Sequence, residues 1–379
     1  MTIYLIFWSV TLAIASIIKS NRMQIAFCVV VFLFVGLRYE TGFDWPVYKR
    51  AFELLSDDFS LESIILYSQT FQIEMGWLIV SGAAGQIFPE YEFLQALVTA
   101  TLLLSVYKLS RALGVRNFAL AISIASSFLL LTLMFSTIRQ CFALSIFNFA
   151  IVAALNKRWK LMLTLSVFAV SVHVSTLFYI LALVYAAARP SKLPTPMMVI
   201  FMSVIGIGGI LAIPLVSNYL PDLLASRVVW YGLDEAFQEI SWWQVYFIIL
   251  GAFIAGFALL SGPIGQKLDN RVTFHRRMIL GLAIMCLCTY SLDVVRDRIS
   301  YEMFLLFSIY LARDDLPLRL LARPIAFALG IFFSMLNIFI PANRIAFMPY
   351  QNALTVLVTG EKGDGQFRQE SFNRDFDVR

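Results

Sequence analysis

Apolar runs alternate with short polar gaps from one end of the chain to the other. Many runs approach the about 20 residues that an α-helix needs to cross a hydrocarbon core. The pattern predicts crossings at 2–18, 23–37, 93–107, 117–135, 139–155, 161–172, 174–188, 196–216, 244–260, 278–292, 299–312 and 324–340. The expected fold class is therefore all-α, a polytopic integral membrane protein of about 12 transmembrane helices plus one or two re-entrant or interfacial helices. Met75 to Phe88 and Ile345 to Val358 are the short apolar stretches assigned to that second class. Residues 1–359 read as one transmembrane domain with external loops 38–74 and 217–243, and 360–379 as a polar disordered tail. The run from Thr2 to Ile18 has no basic residue before it and no small-residue cleavage signature after it, which predicts a retained helix rather than a signal peptide.

Composition narrows the class. The 379 residues are 60% hydrophobic and 14% charged, against about 25% charged in soluble domains, so no soluble domain of any size fits between the runs. Cys28, Cys141, Cys286 and Cys288 all lie inside apolar runs, and His173 and His275 lie far apart. Redox chemistry, a histidine metal cage and any cofactor are accordingly not expected.

The net charge of +5 points to membrane orientation rather than nucleic acid, because the basic residues sit in short gaps between apolar runs. One alternate set of gaps carries 17 Lys and Arg against 3 acids, whereas the other, up to Arg344, carries 8 against 16. The basic set is expected to be cytoplasmic. Counting Met75 to Phe88 as a full crossing would move Lys108, Arg111 and Arg116 to the opposite face.

With that topology, the unusual polar residues gather at the outer face. Arg38, Tyr39, Glu40, Asp44, Trp45 and Tyr48 surround Gly42 in the first external loop. Arg139 and Gln140 interrupt an apolar span from Phe118 to Leu155, and Arg139, with no acid nearby in sequence, needs an anionic partner from elsewhere in the fold or from a ligand. His173 stands between Ser171 and Ser175 in a 28-residue apolar stretch, 161–188. That length predicts a backbone break near the imidazole, which is either a hydrogen-bonded structural group or a proton acceptor. Asp293, Arg296, Asp297, Arg298, Tyr301 and Glu302 form another outer set, in which Arg298 with Glu302, and Arg296 with Asp293 or Asp297, are local pairing alternatives. Arg344 with Tyr350, and Arg227 with Tyr231, complete the outer residues. Interfacial aromatics and snorkelling arginines are the bland alternative. Several arginines around one external cavity suit a multiply anionic ligand such as a pyrophosphate.

Gly36-Leu37-Arg38-Tyr39 with Gly42 and Asp44, Glu74-x-Gly76, Ile138-Arg139-Gln140 with Ala143, His173 followed by Ser175, Arg298-Ile299 with Tyr301, and Pro349-Tyr350 are spread over most of the chain. On these residues the chain resembles the EpsG-type members of the Wzy polysaccharide polymerases, although Phe43-Asp44-Trp45 stands where an Asp-Tyr pair is more usual. The resemblance implies an enzyme of a bacterial inner membrane that uses undecaprenyl-diphosphate-linked oligosaccharides. It would transfer a chain from the lipid pyrophosphate to a non-reducing-end hydroxyl of another unit at the periplasmic face. Membrane lipids and a chain-length regulator are the further partners expected. On that chemistry, Arg139 and Arg298 are the first pyrophosphate ligands expected, followed by Arg38, Arg344 and Arg296. His173, Glu40 and Asp44, in that order, are the base candidates. Tyr39, Trp45 and Tyr48 are placed to stack on sugars, with Gln140, Glu74, Arg227, Tyr301 and Tyr350 as other substrate contacts. A lipid-linked saccharide flippase, and a membrane O-antigen ligase or acyltransferase, are the rival readings. The first usually carries pseudo-repeats around a midplane site, and none is visible here; the second differs only in its acceptor.

Overall fold

The structure, a computed structural model, describes residues 1–188, 242–261, 269–289, 292–316, 319–339, 344, 346–360 and 364–365. The expected crossing 196–216, and Arg227 with Tyr231 in the expected second external loop, lie outside the described residues. In chain order the helices are α1 (Thr2–Ile17), α2 (Asn21–Val35), α3 (Trp45–Asp57), α4 (Leu61–Phe71), α5 (Met75–Ile87), α6 (Tyr91–Ala112), α7 (Phe118–Leu129), α8 (Ile138–Leu155), α9 (Trp159–Val172) and α10 (Thr176–Ala188). They continue with α11 (Trp242–Leu260), α12 (Asn270–Cys288), α13 (Asp293–Leu311), α14 (Arg319–Phe339) and α15 (Ala353–Thr359). Among the described residues the only β-type pairing is an isolated bridge between Arg38 and Asn352.

Three described helices, Tyr91–Ala112, Phe118–Ser136 and Ile138–Leu155, are long and apolar enough to cross a membrane, and shorter apolar helices accompany them. The protein is an all-helical integral membrane protein. α7 is buried on every side, packed by α13, α14 and α1. By contrast α9 exposes Leu163 and Val167, the surface expected of a helix facing acyl chains.

Local sequence explains the helix ends. Ser20 Oγ accepts from Met23 N at the start of α2, and Asn117 Oδ1 accepts from Leu120 N at the start of α7. At its far end α7 passes into a π-helical turn, Leu130–Ser136, and Thr137 N reaches Thr132 O at 3.2 Å. Such i→i+5 turns re-aim the chain that follows and are frequent at functional sites. Here they deliver the first turn of α8.

The segment expected as the first external loop is largely helical. Trp45, Tyr48, Phe52 and Leu55 fall on one stripe of α3 and are buried against α5 and α6. The crossing expected from residue 278 also starts earlier than its apolar run. α12 begins at Asn270, so Arg276 and Arg277 lie inside a helix and are buried.

Their charges are placed against helix C-termini, where carbonyls have no helical partners. Arg276 donates to Ala258 O at 2.6 Å and Leu259 O at 2.7 Å, and Arg277 to Tyr185 O at 2.7 Å. Arg313 donates likewise to Leu113 O at 2.8 Å, and Arg323 to Leu311 O at 2.8 Å. The ends of α6, α10, α11 and α13 are thus tied down by arginines of the basic gaps.

Candidate functional site

At the opposite end of α7 several of the residues expected at the outer face come together. Gly42 makes the approach feasible: its φ is +113°, and a side chain there would collide with the Phe135 carbonyl. Only glycine adopts that backbone at low cost. Gly42 N donates to Ala346 O at 3.0 Å, and Phe43 N lies 3.4 Å from Ser136 Oγ. The loop is thereby pinned to the π-turn, and Asp44, which precedes the first turn of α3, is aimed at the start of α8.

A second glycine sets the opposite wall. A Cβ on Gly76 would stand 2.5 Å from the Ser171 carbonyl carbon and oxygen, so α5 touches the end of α9 only because that side chain is missing. Glu74, just before α5, consequently reaches both the broken helix and the cation. Its Oε1 accepts from Val174 N at 3.4 Å, and its Oε2 pairs with the Arg139 guanidinium. The break itself follows the sequence expectation: α9 ends at Val172, His173 is extended with φ −154° and ψ 117°, and α10 begins at Thr176.

Arg139 also lies over the Tyr48 ring at 5.5 Å, and Tyr48 OH is 3.5 Å from Asp44 Oδ2. Next to it, Gln140 carries a network into α13. Gln140 Nε2 donates to Tyr179 OH at 2.9 Å and to Arg298 O at 3.1 Å, while Arg298 Nη1 donates to Gln140 Oε1 at 2.8 Å. Tyr179 OH donates to the same Arg298 carbonyl at 2.5 Å. Both ends of the Gln140 amide are satisfied, so its orientation and that of Arg298 are fixed together.

The two cations act on one carboxylate. Burial pushes the Asp44 carboxyl above its ordinary pKa, and Arg298 and Arg139 pull it back in part. Burial likewise pushes the Tyr48 phenol up to about 12, which keeps it a neutral hydrogen-bond donor. Tyr301, buried beside Arg298, interacts electrostatically with both Arg298 and Asp44.

The remaining candidates are placed differently. Arg38 is 2% exposed, donates to Val35 O at 3.0 Å and lies 5.6 Å from the Phe135 ring centre. It makes no ion pair among the described residues, and sits beneath the loop near Cys141 and Tyr350. Glu40, with φ +45°, accepts from Gly365 N at 3.0 Å and lies 3.9 Å from Lys49 Nζ. That lysine stands over the rings of Tyr39 and Trp45. Trp45 is buried to the same degree as Tyr48 and Tyr301.

His173 Nδ1 accepts from Ser175 N at 3.2 Å, which leaves Nε2 as the ring's donor nitrogen. Arg296 is not part of the cluster: it pairs with Asp297 at 2.9 Å and stacks over Phe247 at 4.1 Å. Arg344 is exposed beside the amino-terminus at Met1. Tyr350 donates to Phe34 O at 2.5 Å and stacks on the Phe34 ring at 4.5 Å. The i,i+4 pair of Arg298 with Glu302 does not form; Glu302 is fully buried and both of its carboxyl oxygens lack a hydrogen-bond partner among the described residues.

Sequence reasoning passed over Tyr179 and the π-turn. A tyrosine within an apolar run carried the available signal, because a buried phenol seeks a hydrogen-bond partner. Among the described residues no group of His, Cys, Asp and Glu could hold a metal ion.

No curated protein and no solved structure matches the chain. The profile of the EpsG family matches residues 21–352, from the start of α2 to the residue bridged to Arg38. That span takes in Asp44, Glu74, Arg139, His173 and Arg298, and with most of the chain covered, the protein belongs to the EpsG family, a Wzy-type polysaccharide polymerase-like family of membrane proteins.

Proposed function

We propose that this protein polymerises lipid-linked oligosaccharide repeat units, transferring a chain from undecaprenyl diphosphate to a non-reducing-end hydroxyl of another unit at the periplasmic face of a bacterial inner membrane. The observation that supports this reading is the meeting of three helices at charged groups: Arg139 lies over the Tyr48 ring, the Tyr48 hydroxyl is 3.5 Å from Asp44, and Gln140, the next residue of α8, accepts from Arg298. In the reaction the acceptor oxygen attacks the anomeric carbon, and the bond from that carbon to the phosphate oxygen breaks. The diphosphate departs with the electron pair, and the acceptor proton passes to the base.

Each step has a group suited to it. Arg139 and Arg298 stabilise charge developing on the leaving oxygen, the service that preorganised donors render best. Glu74 holds Arg139 in place, and Gln140 holds Arg298. Asp44 is the preferred base, because burial raises its affinity for a proton while the two arginines keep it ionisable. Glu40 is engaged by Lys49 and Gly365, and His173 presents a protonated Nε2, so both suit supporting roles. Tyr48 and Tyr301 line the same place and suit contacts with sugar or phosphate. Arg38 adds positive charge from beneath without reaching the ligand.

The test is chain elongation by purified protein in detergent micelles supplied with lipid-linked units and no ion gradient. A ladder of products on undecaprenyl diphosphate is expected from the wild type, and Arg139→Ala is expected to stop at one unit while remaining in the membrane. Wild-type chain lengths in that variant would refute the assignment. Transport of lipid-linked units across vesicles without elongation would favour the flippase.

A further inference from the structure

At the basic end of the bundle, α1, α2, α7 and α14 enclose a cavity of about 510 Å³, within the about 300–1,000 Å³ typical of ligand pockets. Lys19, Arg116 and Arg323 line it, together with Asp314 and the apolar Leu12 and Leu120. Asp314 is spoken for, lying 3.4 Å from Arg323, whereas Lys19 and Arg116 make no ion pair among the described residues. The start of α7 contributes no free amide: Gln24 Oε1 accepts from Phe118 N at 3.0 Å and Asn117 Oδ1 from Leu120 N at 3.0 Å. Any anion held there is held by side-chain charge.

The cavity is separate from the outer cluster. The 19 residues of Phe118–Ser136 lie between them, a rise of about 28 Å at about 1.5 Å per residue, which matches the about 30 Å hydrocarbon core. Next to it, Ile17 is 76%, Leu320 82% and Leu321 63% exposed. In a membrane protein such a surface faces acyl chains, so cationic head space and apolar wall adjoin each other.

We infer that this cavity binds the phosphate headgroup of an anionic phospholipid of the inner leaflet. Basic pockets between transmembrane helices on the cytoplasmic side take such headgroups. The glycerol phosphodiester occupies the space between Lys19 and Arg116, and its acyl chains lie along Ile17 and Leu320. A free phosphate offers the same charge, but leaves the apolar wall unused.

The test uses full-length protein in nanodiscs, with fluorescent phosphatidylglycerol and phosphatidylcholine titrated separately. The wild type is expected to prefer phosphatidylglycerol. Each cation removed is expected to weaken that binding about fivefold, so Lys19→Gln with Arg116→Gln weakens it about thirtyfold, while Lys19→Arg retains it and verifies that the site tolerates substitution. Equal binding of the two lipids by the wild type, or unchanged affinity in the double variant with a native elution profile, would overturn the inference. So would inorganic phosphate displacing the lipid at equal concentration, since the site would then be one for a soluble anion.

Discussion

Replacing Glu74 by Gln tests the site at the joint between its two walls. Among the contacts of the carboxylate are Arg139 at Oε2 and Val174 N at Oε1. Glutamine keeps one acceptor and turns the other into a donor, so one of the two contacts is lost and the charge goes with it. The pair is largely withdrawn from water, with side-chain exposures of 15% for Arg139 and 11% for Glu74. Solvent screening therefore reduces its worth little. A hydrogen bond to a charged group contributes about 1.5–3 kcal/mol, which predicts a loss of about 10- to 100-fold in kcat/KM at about 1.36 kcal/mol per decade. On the proposed mechanism Arg139→Gln removes a donor to the leaving group, and it is expected to cost about 10²–10³-fold. Because Glu74 acts through Arg139, the double variant should be no worse than Arg139→Gln alone, within about 0.5 kcal/mol. The assay is chain elongation by the four proteins of the cycle, with membrane abundance measured alongside. If the two losses simply multiplied, Glu74 would not be acting through Arg139, and the positioning role assigned to it would fail.

Other perturbations bear on the remaining parts. Elongation that needs ionised Asp44 rises with pH through the pKa of that group, and Arg298 holds the pKa down against burial. Arg298→Gln should accordingly move the acid limb to higher pH, and Asp44→Asn should abolish it; a limb that stays in place in Arg298→Gln would remove Asp44 as the base. Gly76→Ala forces a Cβ onto the Ser171 carbonyl; it is expected to destabilise the protein by about 1–3 kcal/mol and to depress elongation by separating Glu74 from Val174, whereas an unchanged melting temperature would contradict the close approach. Glu302→Leu removes a buried carboxyl that has no hydrogen-bond partner among the described residues, and should stabilise by about 1–3 kcal/mol with elongation intact; a lowered melting temperature would show that the carboxyl is satisfied in the membrane.

The legible part of this protein is whatever depends on hydrophobic period and helix length. The spans that form α7 with its π-turn, α8 and α10, and the break at His173, follow from how many apolar residues fit across a bilayer. The stripe at Trp45, Tyr48, Phe52 and Leu55 is equally available, but it reads as loop because Lys49, Arg50 and Glu53 fill the intervals between its apolar positions. Arg276 and Arg277 mislead for a different reason. Charge is expected to end a helix, yet carbonyls at the ends of α10 and α11 accept those guanidinium groups within the bundle. Pairing is least legible. Arg298 and Glu302 have ideal spacing on α13, but Arg298 turns to Gln140 on α8. The partner of Arg139 lies 65 positions away. Which face of a helix meets which neighbour is decided by tertiary packing, and no local periodicity encodes it. Of the arginines expected at the outer face, Arg139 and Arg298 are joined through neighbouring side chains of α8, whereas Arg296 pairs with Asp297 and Arg344 is exposed near Met1.

The bridge between Arg38 and Asn352, flanked by Tyr39 N donating to Gln351 O at 3.0 Å and Ala353 N to Leu37 O at 2.7 Å, has a bearing on biogenesis. The two segments of this clasp are separated by 314 positions, 352 minus 38. During synthesis the early loop leaves the ribosome long before its backbone partner exists. The clasp therefore closes only after residue 353 has been made, and a nascent chain stalled before that point holds Arg38 without its backbone partner.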